Sequence, residues 1–176
     1  MRNDMLELIK TRRSIRKYRP EQIKDEELDA VLEAGTYAPS GKGKQVATIV
    51  AVQDQETRKT LARMNAQVLG KEIDPYYAPP TIVLVFADTS RPTYVQDASC
   101  VLENMMLAAH ALGLGSCWIN REREMFETDE GKEMMKRWGL DEALVGVGAI
   151  SLGYIDGNPP KMAQRKEDYI IKDTNL

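Results

Sequence analysis

The sequence predicts a three-layer α+β sandwich, a mixed central sheet wrapped by helices, formed by a single domain spanning residues 1–176. Three observations predict it. Continuous apolar runs of strand length, ATIVAV and TIVLVFA chief among them, alternate with stretches whose apolar residues recur at helical spacing. The order is irregular, with two helices before the first strand and a long extension after the last. Hydrophobic residues make up 43% of the chain, enough for a packed core.

Asn3 or Asp4 caps a first helix with Met5, Leu8 and Ile9 along one face. TRRSIRKY, Thr11 to Tyr18, follows, and Pro20 closes it. A second helix is expected over about Asp25 to Ala34, with acidic residues in its first turn and Gly35 as its stop. APSGKGKQ, Ala38 to Gln45, reads as a loop. Ala47 to Val52 is a buried strand, followed by a polar helix over roughly Gln55 to Val68. Thr81 to Ala87 is the strongest strand, its start fixed by Pro79 and Pro80.

The longest helix runs from about Val95 to Leu112. Its stripe of Ala98, Val101, Leu102, Met105, Met106, Ala109 and Leu112 is broad enough for burial on more than one side. Gly113-Leu114-Gly115 ends it and leads into a short strand, Ser116 to Asn120. A helix around Asp129 to Trp138 and a strand from Leu144 to Gly153 complete the core elements. The proline-containing tail is too long and irregular to finish a compact monomer well. Its strand-like patch, Tyr169 to Ile171, is expected to pair with a sheet edge on a second subunit.

The net charge of −3 argues against general nucleic-acid binding, which needs a broad basic surface. The four cations of TRRSIRKY (Arg12, Arg13, Arg16 and Lys17) therefore form a local cluster, suited to one small anion. Arginine forks pair bidentately with phosphate oxygens, and the Ser14 hydroxyl adds one more bond. On charge pattern alone, the plainer account is an exposed basic turn paired with acidic helix faces. The tail adds Lys161, Arg165 and Lys166, which reach the same phosphate if the tail folds back or crosses a dimer.

Other chemistries find little support. There is no Walker A motif and no GxGxxG after an expected strand. Cys100 and Cys117 are too few for a disulfide scaffold or a zinc site, and read as buried free thiols. His110, on the long helix, has no triad partner placed by the sequence and reads as a packed helix histidine. No metal-ligand or paired-carboxylate pattern stands out. No apolar run spans a bilayer and no signal-peptide h-region is present, so the reading is cytoplasmic and free of membrane.

RRSIRKY, APSGKGKQ, RMNAQVLG, LENMMLAAHALGLGSCWIN and GYIDGNPPKMAQRK, in that order, resemble the nitroreductase family of FMN-dependent oxidoreductases. The resemblance covers nearly the whole chain and matches the compact members. It implies a mostly antiparallel sheet and a C-terminal extension reaching the other subunit. It further implies a homodimer with two FMN sites at the interface, each built from both subunits. By that likeness Arg12, Arg13 and Ser14 sit near the FMN phosphate and ribityl chain. Arg16 matches the cation at the flavin pyrimidine edge, where positive charge near N1 and O2 stabilises the anionic reduced flavin. Asn65 matches an amide position that hydrogen-bonds the ring edge. Pro39, Ser40 and Gln45 match the loop that one subunit lays beside the other's flavin. Ile119 and Asn120 match the segment whose backbone nears flavin N5. Arg165 and Lys166 match tail cations at the phosphate.

Two departures bear on the substrate. Gln45 is followed by Val46 and Ala47, where family members often have proline and an aromatic residue. Asn120 and Arg121 stand where many have glycines. Arg121 and Arg123 either favour an anionic substrate or are solvated loop cations. The function the resemblance implies is hydride transfer from NAD(P)H through flavin N5 to a nitro compound, a quinone or another small electrophile, in a ping-pong cycle. The flavin performs the chemistry, so no catalytic side chain is expected. The alternatives are a non-catalytic FMN-binding or sensing protein, and a relative with a specialised reaction such as reductive dehalogenation.

Overall fold

The computed structural model describes residues 3–173. Its strands are β1 (Ala47–Val52), β2 (Thr81–Asp88), β3 (Leu114–Ile119) and β4 (Leu144–Tyr154). They form one sheet in the order β1-β2-β4-β3, and every strand pairing is antiparallel. Parallel pairing is confined to an isolated bridge between Ser14 and Ser116. The helices are α1 (Asp4–Thr11), α2 (Asp25–Thr36), α3 (Gln55–Leu69), α4 (Tyr94–Ala111), α5 (Glu122–Phe126) and α6 (Asp129–Arg137). None among the described residues is long and apolar enough to cross a membrane.

Alternation along β2 sets the three layers. Val83, Val85 and Ala87 face one side, against Val31 of α2 and Leu102 and Met105 of α4. Ile82, Leu84 and Phe86 face the other, against Leu61 of α3, Met125 of α5 and Met134 of α6. Because both faces are covered, β2 reads as a continuous apolar run, and all of it except Asp88 is buried. The expected sandwich of helix, sheet and helix is the observed one, with strand pairings among the described residues all antiparallel rather than mixed.

Local chemistry explains the boundaries. The Asn3 carboxamide oxygen accepts from the Met5 and Leu6 amides at 3.0 and 3.3 Å and starts α1. Asp54 accepts from the Thr57 amide at 2.8 Å and starts α3, which ends at Gly70 with φ 69°. Thr128 accepts from the Gly131 amide at 3.1 Å and starts α6.

Four expectations need correction. Gly35 lies inside α2 rather than ending it. A Cβ there would stand 2.8 Å from Met105 Cγ, so the glycine permits close packing of α2 on α4. Gly115 likewise belongs to β3, where a Cβ would meet Ile15 Cγ2 at 2.8 Å; only Gly113, with φ 76°, serves as the stop. The short helix α5 was not foreseen, since five charge-rich residues carry no period. Tyr169 to Ile171 is not a strand in this chain. A short turn of 3₁₀ helix covers Glu167–Tyr169, and everything from Gly157 to Asp173 is exposed.

Candidate functional site

The cationic segment is fixed to the outer edge of the sheet. Ser14 bridges to Ser116 of β3, the Ile15 amide donates to the Ser116 carbonyl at 2.9 Å, and the Ile15 side chain is buried. The Tyr18 hydroxyl ties the segment down by donating to the Ile15 carbonyl at 2.6 Å; burial holds that phenol's pKa well above its usual value. Three guanidinium groups are thereby given different surroundings. Arg12 is half-buried, with its Nε 3.8 Å from the Glu103 carboxylate. Its Nη1 is buried and meets no acceptor among the described residues. Arg13 Nη1 donates to the Lys10 and Arg12 carbonyls, each at 2.7 Å. Arg16 is exposed, and its guanidinium lies 5.8 Å from the centre of the Tyr77 ring.

His110 closes this corner, its Nε2 lying 2.9 Å from Thr11 Oγ1. Burial, and then the charges of Arg12 and Arg13, lower its pKa, so it is a neutral ring packed beside two cations. Thr11, Arg12, Arg13, His110 and Pro159 surround a cleft of about 40 Å³. Pro159 brings the root of the tail to the arginines. Arg165 and Lys166 lie further out, exposed, with Lys166 Nζ 3.7 Å from Asp168 and 5.5 Å from the Tyr169 ring centre.

The far end of β3 carries a second constellation. Ile119 is buried, and the chain turns at Asn120 and Arg121, the latter at φ 86°. A non-glycine residue in that region costs about 1 kcal/mol or more and persists only where its surroundings hold it. Asn65 of α3, fully buried, supplies the hold. Its Nδ2 donates to the Asn120 carbonyl at 2.9 Å, and its Oδ1 accepts from Arg121 Nε at 2.7 Å. Trp118 Nε1 donates to Asn120 Oδ1 at 2.8 Å. Under the turn, Glu122 is 1% exposed and accepts from the Tyr76 hydroxyl at 3.0 Å. Burial raises the Glu122 pKa to about 8. Burial, and then the charge of Glu122, raise that of Tyr76.

Tyr76 belongs to a tight loop before β2. The Asp74 carboxylate accepts from the amides of Tyr76 and Ala78 at 2.8 and 2.7 Å, and holds Tyr77 and Ala78 at φ 66° and 48°. That loop presents Tyr77 to Arg16.

Pro39, Ser40 and Gln45 form a separate region. They line a cavity of about 180 Å³ with Gly35, Asp97 and Val101. The loop is closed by the Gln45 amide donating to Ser40 Oγ at 3.0 Å, and tied to α4 by the Gly41 amide donating to Asp97 at 2.9 Å. Asp97 and His110 stand about 20 Å apart along α4, at 1.5 Å per residue. One chain thus keeps the loop and the arginine corner toward opposite ends of that helix.

Of the two cations left open by the sequence, Arg121 is half-buried and engaged with Asn65. Arg123 is exposed and paired with Glu127 at 3.0 Å within its own helix. Sequence reasoning missed Tyr76, Tyr77 and Glu122. A glutamate within RERE looks solvated, and its partner is 46 positions away.

Comparison with known proteins agrees with this architecture. The nitroreductase family model matches residues 9–154. A relative from Archaeoglobus fulgidus is 35% identical over 159 residues, covering 86% of this chain and 85% of its own length. The NADPH-flavin oxidoreductase of Vibrio harveyi is 32% identical over 89% of this chain and 68% of its own. A nitroreductase with bound FMN from Bacteroides fragilis superposes with a TM-score of 0.90 at 32% identity, over 97% of this chain and 99% of that one. An FMN-dependent nitroreductase from Clostridium difficile gives a TM-score of 0.84 at 28% identity, over 99% of each chain. A family match across most of the chain, relatives above 30% identity along its length and a shared fold together leave one assignment: the chain belongs to the nitroreductase family.

Proposed function

We propose that the protein is an FMN-dependent oxidoreductase that works as a homodimer in the cytoplasm, with NAD(P)H as electron donor. The observation that carries the reading is Arg12, whose buried Nη1 has no acceptor among the described residues. A buried, unspent guanidinium donor costs stability, by roughly 1–3 kcal/mol, unless an anion takes it up. A nucleotide monophosphate suits that donor, with the neighbouring Arg13 and the Ser14 hydroxyl. Arg165 and Lys166 would join them as the tail settles on the assembled dimer.

Ser14 and Asn120 are joined through β3, so the cofactor would lie along that strand with its ring at the Asn120 turn. Arg16 would stand at the pyrimidine edge, where a cation favours reduction. Asn65 keeps one N–H and one lone pair beyond its bonds to the turn, enough for the ring edge. Ile119 and Asn120 would offer backbone at N5. Pro39, Ser40 and Gln45 would come from the other subunit, which supplies what the length of α4 withholds within one chain. Bound there, FMN would supply the redox chemistry, passing hydride from NAD(P)H through N5 to a small electrophile such as a nitro compound or quinone, in a ping-pong cycle. The residues themselves bind, orient and exclude water.

The test is the absorption spectrum of the purified protein, followed by anaerobic mixing with NADH and with NADPH. A yellow protein bleached by one of them is expected. A colourless protein that FMN does not reconstitute overturns the reading, and a bound flavin that neither nicotinamide bleaches leaves only flavin binding.

A further inference from the structure

Glu122 is a buried acid that the proposed reaction does not use. One carboxyl oxygen accepts from Tyr76, while the other, Oε2, is buried and meets no partner among the described residues. The groups facing it come from every side. Tyr76 reaches it from the loop before β2, Arg121 from its own turn, and Glu124 from α5. From β4, Gly146 lies against it, where a Cβ would stand 2.6 Å from the Glu122 carbonyl oxygen. Arg121 is the one cation among these groups. Its Nε is already committed to Asn65, and Asn65 in turn holds the Asn120 carbonyl.

We propose that Glu122 is a positioning residue for the Asn120–Arg121 turn: protonated, it packs against Tyr76 and leaves Arg121 on Asn65, and on losing its proton it draws Arg121 away and shifts the Asn120 backbone. A neutral carboxyl asks little of its surroundings. A carboxylate with one unpaired oxygen in a dry pocket demands a counter-charge, and Arg121 is adjacent. Its departure removes one of the two bonds that pin Asn65 to the turn. Burial sets the transition near pH 8. The effect on the turn belongs to the chain alone. The effect on a cofactor rests on the proposed reading of Asn120 as the neighbour of flavin N5.

The experiment follows the Asn65 side-chain amide by nuclear magnetic resonance, in the cofactor-free protein, across the two pH units on either side of about 8. In the wild type the amide signals should move with a single midpoint near that value. Glu122→Gln should abolish the midpoint. Tyr76→Phe should raise it, since the phenol's hydrogen bond favours the carboxylate. Signals that stay fixed in the wild type, or that move identically in Glu122→Gln, overturn the proposal. In the FMN-loaded protein the midpoint potential is then measured over the same range. Wild type and Glu122→Gln should run in parallel below the transition and separate above it. Identical potentials beside an intact amide titration support the role of Glu122 at the turn and remove Asn120 from the flavin.

Discussion

The centre of the sheet and its rim follow opposite rules. Val83, Leu84, Val85 and Phe86 are fully buried and covered on both faces by this one chain. At the rim, α1 buries no residue, and Met5 and Ile9 are 60% and 51% exposed. The tail leaves Ile171 at 91% exposure. Apolar side chains that large and that exposed are the surface the proposed second subunit would cover. The binding candidates 12–16 and 165–166 lie beside or within these parts, and 39–45 in the loop between α2 and the edge strand β1. The fold is therefore finished by one chain, while the proposed site would need a second.

The sharpest way to break this contrast is to damage the centre. Phe86 packs edge-on against Phe126 at 4.8 Å, and Phe86→Ala should cost about 3–5 kcal/mol in urea unfolding. A loss below about 1 kcal/mol would mean that the centre does not carry the fold.

Next in size is a pH effect from the buried polar layer. Folded Glu122 keeps its proton between its ordinary value of 4.5 and about 8, where the unfolded chain has lost it. The folded state binds more protons across that window, so stability should fall as pH rises, by up to about 1.4 kcal/mol per unit. Above the window the loss is complete and flat. Glu122→Gln should remove this component, read as the difference between the two unfolding profiles.

Changes at the rim should spare folding and strike binding. Arg12→Ala should weaken FMN binding by about 1.5–3 kcal/mol, measured by flavin fluorescence titration, and, because it removes the unspent donor, should not destabilise the cofactor-free protein in unfolding. Unchanged affinity would put the phosphate elsewhere. Removing residues 158–176 should weaken subunit association by roughly tenfold, about 1.4 kcal/mol, in sedimentation, with the far-ultraviolet spectrum of the core retained. An unaffected dimer would detach the tail from the interface.

The same divide decides what the sequence reveals. Strand Thr81–Asp88 and the long helix are legible because burial writes itself as unbroken or periodic apolar residues, whereas Ala47–Val52, equally apolar and expected to be buried, is an edge strand in which only Val52 is buried. Gly35 misleads because a glycine near a helix end looks like a stop, and only the packed fold brings Met105 against it. Glu122 is illegible for the same reason: its burial depends on Tyr76 and β4 converging from distant positions. Tyr169 to Ile171 has the composition of a strand and no strand beside it in this chain. The arginines were visible as a cluster, but only the tertiary structure separates the unspent Arg12 from Arg13, which is folded onto carbonyls.

The bridge from Ser14 to Ser116 has one further consequence. It fastens the arginine corner to the same strand that ends at the Asn120 turn, four residues on, or roughly 13 Å at the rise of a β-strand. The backbone thus acts as a gauge of fixed length. On the proposed reading, a molecule with an anionic head at one mark and a reactive ring at the other would fit it, while one lacking the head, as riboflavin does, would leave a mark unfilled. Selection by length would then be set by the spacing of the sheet, with Arg12 reading the head.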